Sequence, residues 1–248
     1  MPASPLPTAP FDPPARARRQ LWHAAAVLIL QHPLTGAAPA QLGGGIGVES
    51  DYRLRGYSLS AGRPVATGQL GYDHSSGLYV DGYAVAMFAQ GRAHFLGWDT
   101  NIGYARRLGT GAAADLGVIR RQYRASYAGG RASRYTELYA GLTLQPIVVR
   151  LYYSPDSFVR DASTLYGEVE GTLIPSRDWR IGGHVGALAF VDDGGGRPVR
   201  YDWRLSATRL LGSFDVHAAL SGGRPGRQYY DGRAHDRTAL TAGASWNF

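Results

Sequence analysis

Cysteine and lysine are both absent from the 248 residues, methionine occurs only twice, and no apolar run reaches the length that a membrane-crossing helix needs. Without cysteine there are no disulfides, thiolate zinc sites, iron–sulfur clusters or cysteine nucleophiles, although the redox compartment stays open. Without lysine, the 26 basic residues are all arginine, and against 19 acids they give a net charge of +7. These arginines are dispersed among the acids and not gathered in one run or on one helix face, so nucleic acid is not an expected partner. No window sustains a 3.6-residue apolar period, which excludes a helical bundle. A transmembrane barrel remains, because its strands alternate and show no long apolar run.

Glycine, by contrast, is abundant at 34 residues, and there are 16 tyrosines. At the N-terminus Arg16, Arg18 and Arg19 precede the apolar run Leu21 to Leu30, and the small triplet Ala38-Pro39-Ala40 follows a polar stretch. This is the three-part layout of a secretory signal peptide. Ten apolar residues as a helix span only about 15 Å, half a bilayer core, so a permanent anchor is the weaker reading. Residues 1–40 are therefore expected to be removed, leaving 41–248 as one domain with 23 basic and 18 acidic residues.

From there period-two alternation recurs between turn signals. It predicts an all-β chain of about twelve strands, near 44–53, 64–74, 77–87, 95–108, 113–123, 134–145, 147–154, 165–174, 179–190, 200–210, 213–221 and 237–248. Short links at Ser75-Ser76, Gly109–Ala112, Gln145-Pro146, Pro175–Asp178 and Leu211-Gly212 alternate with longer ones at 54–63, 88–94, 124–133, 155–164, 191–199 and 222–236. That rhythm fits an antiparallel up-and-down transmembrane β-barrel, with tight periplasmic turns and longer outside loops.

Facing sharpens the assignment. In the last strand Leu240, Ala242, Ala244, Trp246 and Phe248 share one face, and Thr241, Gly243, Ser245 and Asn247 the other. Leu138, Ala140, Leu142 and Leu144 divide in the same way from Glu137, Tyr139 and Thr143, as do Tyr201, Trp203 and Leu205 from Asp202, Arg204 and Ser206. The apolar faces are rich in small residues and flanked by Trp and Tyr, as lipid-facing girdles are, and closure removes the unpaired edges that lipid forbids. The opposite face then puts mixed charge inside. Arginines and carboxylates there either pair across the lumen and fill it, or line a wet path that selects ions and small polar solutes. Twelve strands lie between the eight or so that side chains can fill and the sixteen or more that leave a wide channel.

The segment Ser50-Asp51-Tyr52-Arg53-Leu54-Arg55-Gly56-Tyr57-Ser58-Leu59-Ser60 resembles the opening motif of the TorF porin family, also known as the Gcw_chp proteins of unknown function. Further likenesses are Ser76-Gly77-Leu78-Tyr79, the run Tyr135 to Gly141, the run Tyr152 to Phe158, Tyr166-Gly167-Glu168, His184-Val185-Gly186 and Tyr201-Asp202-Trp203. Two departures, Ala61-Gly62-Arg63 and Ala84–Phe88, concern loop detail. The resemblance implies a barrel in the Gram-negative cell outer membrane with an assumed pore role and no assigned substrate.

The pore-lining candidates are Asp51, Arg53, Glu137, Arg150, Tyr152, Glu168, Arg180, His184, Asp202 and Arg204. Asp51 and Arg53 are expected to point inward at one rim and reach Glu137 or Glu168, either as a polar constriction or as a salt-bridged brace. Arg63, Arg92, Arg124, Arg131, Arg134, Arg197 and Arg200 are read as loop residues facing lipopolysaccharide phosphates or anionic solutes. Arg237 is read as an inner-wall residue. His184 and His217 read as pore wall and not as metal ligands. Neither cofactor nor metal is expected, since Gly43–Gly47 and Gly109-Thr110-Gly111 lack the Lys-Ser/Thr or following helix of a phosphate loop. A lipid hydrolase is disfavoured, because its nearest candidate, His74-Ser75-Ser76, sits at a tight turn on the periplasmic side without an orienting group. The expected function is passive diffusion of small polar solutes or ions; the alternative is a filled barrel with a structural or adhesive role exerted by its outside loops. Expected partners are outer-membrane lipids, lipopolysaccharide, the barrel-assembly machinery and the solutes.

Overall fold

A computed structural model describes residues 41–124, 133–157, 162–191, 196–224 and 238–248. The expected signal peptide at 1–40 lies outside the described residues, as do Arg131 and Arg237. In chain order the strands are β1 (Gln41–Glu49), β2 (Arg53–Leu54), β3 (Tyr57–Ser58), β4 (Val65–Asp73), β5 (Leu78–Ala89), β6 (Arg92–Gly109) and β7 (Ala112–Tyr123). They continue with β8 (Ser133–Leu144), β9 (Ile147–Ser154), β10 (Thr164–Ser176), β11 (Trp179–Phe190), β12 (Arg200–Leu211), β13 (Phe214–Arg224) and β14 (Ala239–Asn247). All but β2 and β3 form a closed twelve-stranded barrel in which sequence neighbours pair antiparallel. The seam runs from Gly45 opposite Asn247 to Glu49 opposite Gly243.

Antiparallel partners share a face, so the register sorts every side chain as inner or outer. Ile46 lies opposite Trp246 and Gly68, and Val48 opposite Ala244 and Ala66. Leu240 is 75% exposed and Ile46 59%, whereas Glu137 on the other face is 1% exposed. The barrel is thus apolar outside and polar inside, the reverse of a soluble protein and what a hydrocarbon solvent demands. Trp179, Phe214, Trp246 and Phe248 ring the outer face toward the tight-turn end, and Trp98, Tyr153, Tyr201 and Trp203 toward the other.

Eleven expected strands match within a few residues, and three details differ. The first strand, expected at 44–53, spans Gln41–Glu49, because Ser50 onward leaves the wall. The connection expected at 88–94 is the two-residue turn Gln90-Gly91, with φ of 52° and 72°, the mirror-image turn that suits the twist of a hairpin. Finally, the inner face is not uniformly polar. Val65, Val85, Met87, Ala89 and Leu96 form an apolar patch on β4, β5 and β6 with Tyr52 and Tyr123, and Leu96 reaches it because a bulge lets Ala86 pair with Phe95 while Val85 pairs with Gly97.

Candidate functional site: the lumen and its first loop

The apolar inner patch is a seat for the first loop, residues 50–64, which turns into the barrel. Tyr52 packs there and Leu54 and Leu59 lean against it. Asp51 ties the loop into a knot: its Oδ1 accepts hydrogen bonds from Ser58 Oγ at 2.5 Å, Ser60 Oγ at 2.8 Å and the Gly62 amide at 3.1 Å, and its Oδ2 meets Arg53 at 3.2 Å. Arg53 also donates to the Gly56 carbonyl at 2.8 Å, and the Tyr52 amide to Ser60 Oγ at 2.9 Å. Between β2 and β3, Arg55 (φ 49°) and Gly56 (φ 79°) make a tight turn that needs two left-handed residues. Arginine pays a conformational cost there, a cost that persists only where surrounding contacts hold it.

Those contacts lie across the lumen. Arg55 donates to both carboxylate oxygens of Glu137 on β8, at 2.6 and 3.1 Å, and its guanidinium covers the ring of Tyr166 on β10 at 3.9 Å and that of Tyr152 on β9 at 5.1 Å. Strands β8 to β10 stand diametrically opposite β1 in the twelve-strand order. The neighbouring Tyr57 hydroxyl accepts from Arg200 of β12 at 2.8 Å. A hairpin rooted on one wall therefore bridges to the other.

Below Arg55 the polar wall continues without a break. Arg121 pairs with Glu137 at 2.9 Å and closely with Asp99, which also accepts from Tyr123 at 3.0 Å. Tyr152 donates to Glu168 at 2.8 Å, and Tyr79 bonds closely to Tyr139. Arg150 Nε is 3.7 Å from Asp115. His184 stands between two carboxylates, with Nε2 2.8 Å from Asp202 and Nδ1 3.3 Å from Glu170, which also meets Arg204 at 3.3 Å. Asp215 accepts from Ser245 at 2.6 Å and Asn247 at 3.0 Å.

The inner tyrosines lie along the wall and do not reach across it. A methyl group at Gly117 would stand 2.6 Å from Tyr139 Oη, and one at Gly97 would stand 2.5 Å from Tyr123 Cδ1. Glycine on one strand thus makes room for a ring from the next. The sector formed by β13, β14, β1 and β4 carries mostly small inner residues, among them Gly43, Gly45, Gly47, Thr67, Thr241 and Gly243.

The ten sequence-derived candidates are all on the inner face or the inward loop, but they do not all do what spacing suggested. Asp51 and Arg53 do not reach Glu137 or Glu168; they hold the loop, and Arg55 makes the crossing. Arg180 sits at the tight-turn end, donating to the carbonyls of Ser176, Arg177 and Trp179. Arg200, read as a loop residue, is buried inside against Tyr57 and over the Phe190 ring. Glu137, Arg150, Tyr152, Glu168, His184, Asp202 and Arg204 form the continuous inner network. Arg55 and Tyr57 were missed, although an Arg-Gly pair between two alternating tetrads is a hairpin-turn signal.

The family model described as "Bacterial protein of unknown function (Gcw_chp)" matches residues 34–241. No curated protein is matched by this sequence. The NanC porin structure is similar with a TM-score of 0.57 at 11% identity, over 84% of this chain and 99% of that one. The KdgM porin gives 0.49 at 10% identity, over 83% and 99%. The outer membrane channel DcaP of Acinetobacter baumannii gives 0.43 at 11%, over 86% and 99%. The likeness to NanC shows a shared barrel fold.

Proposed function

We propose that this chain, which belongs to the Gcw_chp family of bacterial proteins of unknown function, is a channel of the Gram-negative outer membrane that passes small polar solutes or ions passively. The observation that carries the reading is the two-sided interior: bulky tyrosines and ion pairs lie flat on one sector, while β13, β14, β1 and β4 carry mostly glycine, alanine, serine and threonine, with His217, Gln69 and Asn247 lying along the wall over Gly243 and Gly45. Such a wall leaves a wet path beside the first loop, which narrows it from the outside end. The porin-like fold supports the same reading.

One observation favours a filled barrel acting through its loops instead, namely that the first loop crosses the whole lumen. Current recordings separate the two. The folded protein in a planar bilayer gives discrete conductance steps if it is a channel; silence from protein shown to be folded by heat-modifiable gel mobility refutes the channel. In either case the assembly machinery inserts it, and lipopolysaccharide phosphates face the outward arginines Arg120 and Arg134 at the outside rim. The hydrolase alternative gains nothing: His74 Nδ1 is 2.8 Å from Ser76 Oγ at an exposed turn, and among the described residues no carboxylate orients it.

A further inference from the structure

On the lipid-facing wall a shallow groove of about 360 Å³ crosses β1, β4, β5 and β6, with Ile46, Leu70 and Trp98 at its sides and Gly68, Gly82 and Ala84 as its floor. These outer glycines differ from the inner ones that make room for rings. A methyl group at Gly68 would meet nothing within 4 Å, and one at Gly82 only a carbonyl oxygen at 3.9 Å, so the packing of the barrel itself does not require glycine at either. Ile46, Gly68, Ala84 and Trp98 are directly opposed from strand to strand, and the same row runs on through Gln122 to Arg134. The row beside it passes from Gly82 through Thr100 and Arg120 to Thr136, and Thr100 also lines the groove. In the other direction the first row descends through Trp246 to Phe214 beside a tight turn, so the groove lies at mid-wall and the arginines at the outside end.

The upper end of these rows is a polar indentation in an apolar wall. Arg120 and Arg134 are diagonal neighbours on β7 and β8, about 7–8 Å apart at their roots. Arg120 donates to Thr136 Oγ1 at 2.6 Å, and Arg124 lies over the outward ring of Phe95 at 5.7 Å. Every carboxylate on the described strands faces the lumen; the acid brought near this patch is Asp156, which accepts from the Thr136 amide at 3.4 Å. None of the three arginines forms an ion pair with a described residue. Like charges held side by side call for an external anion, and the guanidinium fork suits phosphate.

We infer that this sector seats one lipopolysaccharide molecule, its lipid A phosphates on Arg120, Arg124 and Arg134 and an acyl chain in the groove below; the inference rests on the outer-membrane reading above and needs no open lumen. Three strand spacings, about 14 Å, separate β4 from β7, within reach of an acyl chain rooted at the phosphates. The rim cations hold the head at the level of the outer leaflet, Gln122 and Thr100 supply neutral donors beside it, and the glycine floor lets the chain lie against the wall.

The test is native mass spectrometry of the folded protein in detergent, titrated with bisphosphorylated lipid A and with phosphatidylglycerol as competitor. The wild type is expected to retain a single lipid A that equimolar phosphatidylglycerol does not displace. Arg120→Gln/Arg134→Gln is expected to weaken that binding about tenfold or more through loss of charge-assisted bonds to phosphate. Gly68→Leu, which fills the groove and leaves the cations in place, is expected to weaken it as well. Equal retention by the wild type and the double variant overturns the inference, and so does displacement by phosphatidylglycerol, which marks a general anionic-lipid surface; unchanged binding in Gly68→Leu overturns the groove assignment. If the double variant does not fold, Arg134→Gln at the exposed rim decides in its place. Bilayer currents from the same samples keep the readings apart: conductance steps without lipid A selectivity overturn the inference and leave the channel standing, and lipid A retained by a silent barrel does the reverse.

Discussion

Replacing Arg55 with asparagine isolates what the first loop does to the lumen. Asparagine accepts the left-handed conformation of a mirror-image turn, so the β2–β3 hairpin keeps its shape while the guanidinium is lost. The lost contacts are a two-point charge-assisted bond to Glu137 at 2.6 and 3.1 Å and the stacking on Tyr166 and Tyr152. Breaking a buried pair costs 3–5 kcal/mol when the surviving charge is stranded, but Glu137 keeps Arg121 at 2.9 Å, so the pair is worth about 2 kcal/mol here. A partly desolvated cation–π contact adds about 1 kcal/mol. The docked loop is thus weakened by about 3 kcal/mol, a factor on the order of 100 in its docked-to-free ratio. The loop stays on the apolar patch through Tyr52, so the change frees the tip and not the root. Single-channel recording is the assay: Arg55→Asn is expected to raise conductance and add flicker as the tip leaves its seat. Unchanged conductance and noise, in a variant that still folds to a heat-modifiable barrel, refutes the assignment of Arg55 as the crossing strut.

Asp51→Ala removes the acceptor of four hydrogen bonds at once and is expected to expose Arg53 and Arg55 to trypsin in folded protein, detected as a new cut in the first loop. Glu137→Gln leaves Arg55 and Arg121 facing each other inside the barrel, and is expected to lower the unfolding free energy in urea by about 3–5 kcal/mol, more than Arg55→Asn. Gly117→Val puts a branched side chain where Tyr139 lies, and is expected to reduce the yield of folded barrel, with partial recovery in Gly117→Val/Tyr139→Ala. Trp98, Trp179, Trp203 and Trp246 all point outward, so brominated lipids are expected to quench the fluorescence of the folded barrel strongly; weak quenching contradicts the lipid-facing assignment.

The barrel was legible in the sequence because its alternation is forced residue by residue by two solvents. Leu240 to Phe248 could be divided into inner and outer sets from spacing alone, and the structure divides them identically. The first loop was not legible, because its fold depends on partners remote in sequence. Tyr52 reads as the end of the first strand, and Leu54 and Leu59 as residues of an ordinary outside link, until the apolar seat of Val65, Val85, Met87 and Leu96 is assembled. Leu96 joins that seat only through a bulge, and a bulge shifts the very period by which strands are read. Glu137 was a candidate because alternation against Leu138, Ala140 and Leu142 puts it on the inner face; its partner was placed two residues off, because Arg53 and Arg55 share a strand face and only the turn distinguishes them.

The strut follows directly on β1, the strand that closes the barrel seam, and that couples the plug to the order of assembly. Arg55 meets a carboxylate 82 residues later in the chain, and Tyr57 an arginine 143 residues later. This early segment is therefore among the last to find its seat, since β8 through β12 must already be paired in order. An incompletely closed sheet, still searching for the β1–β14 pairing, carries an undocked first loop, and docking then reports on closure. Protection of the Arg53–Arg55 segment is, in effect, a timestamp for the completed cylinder.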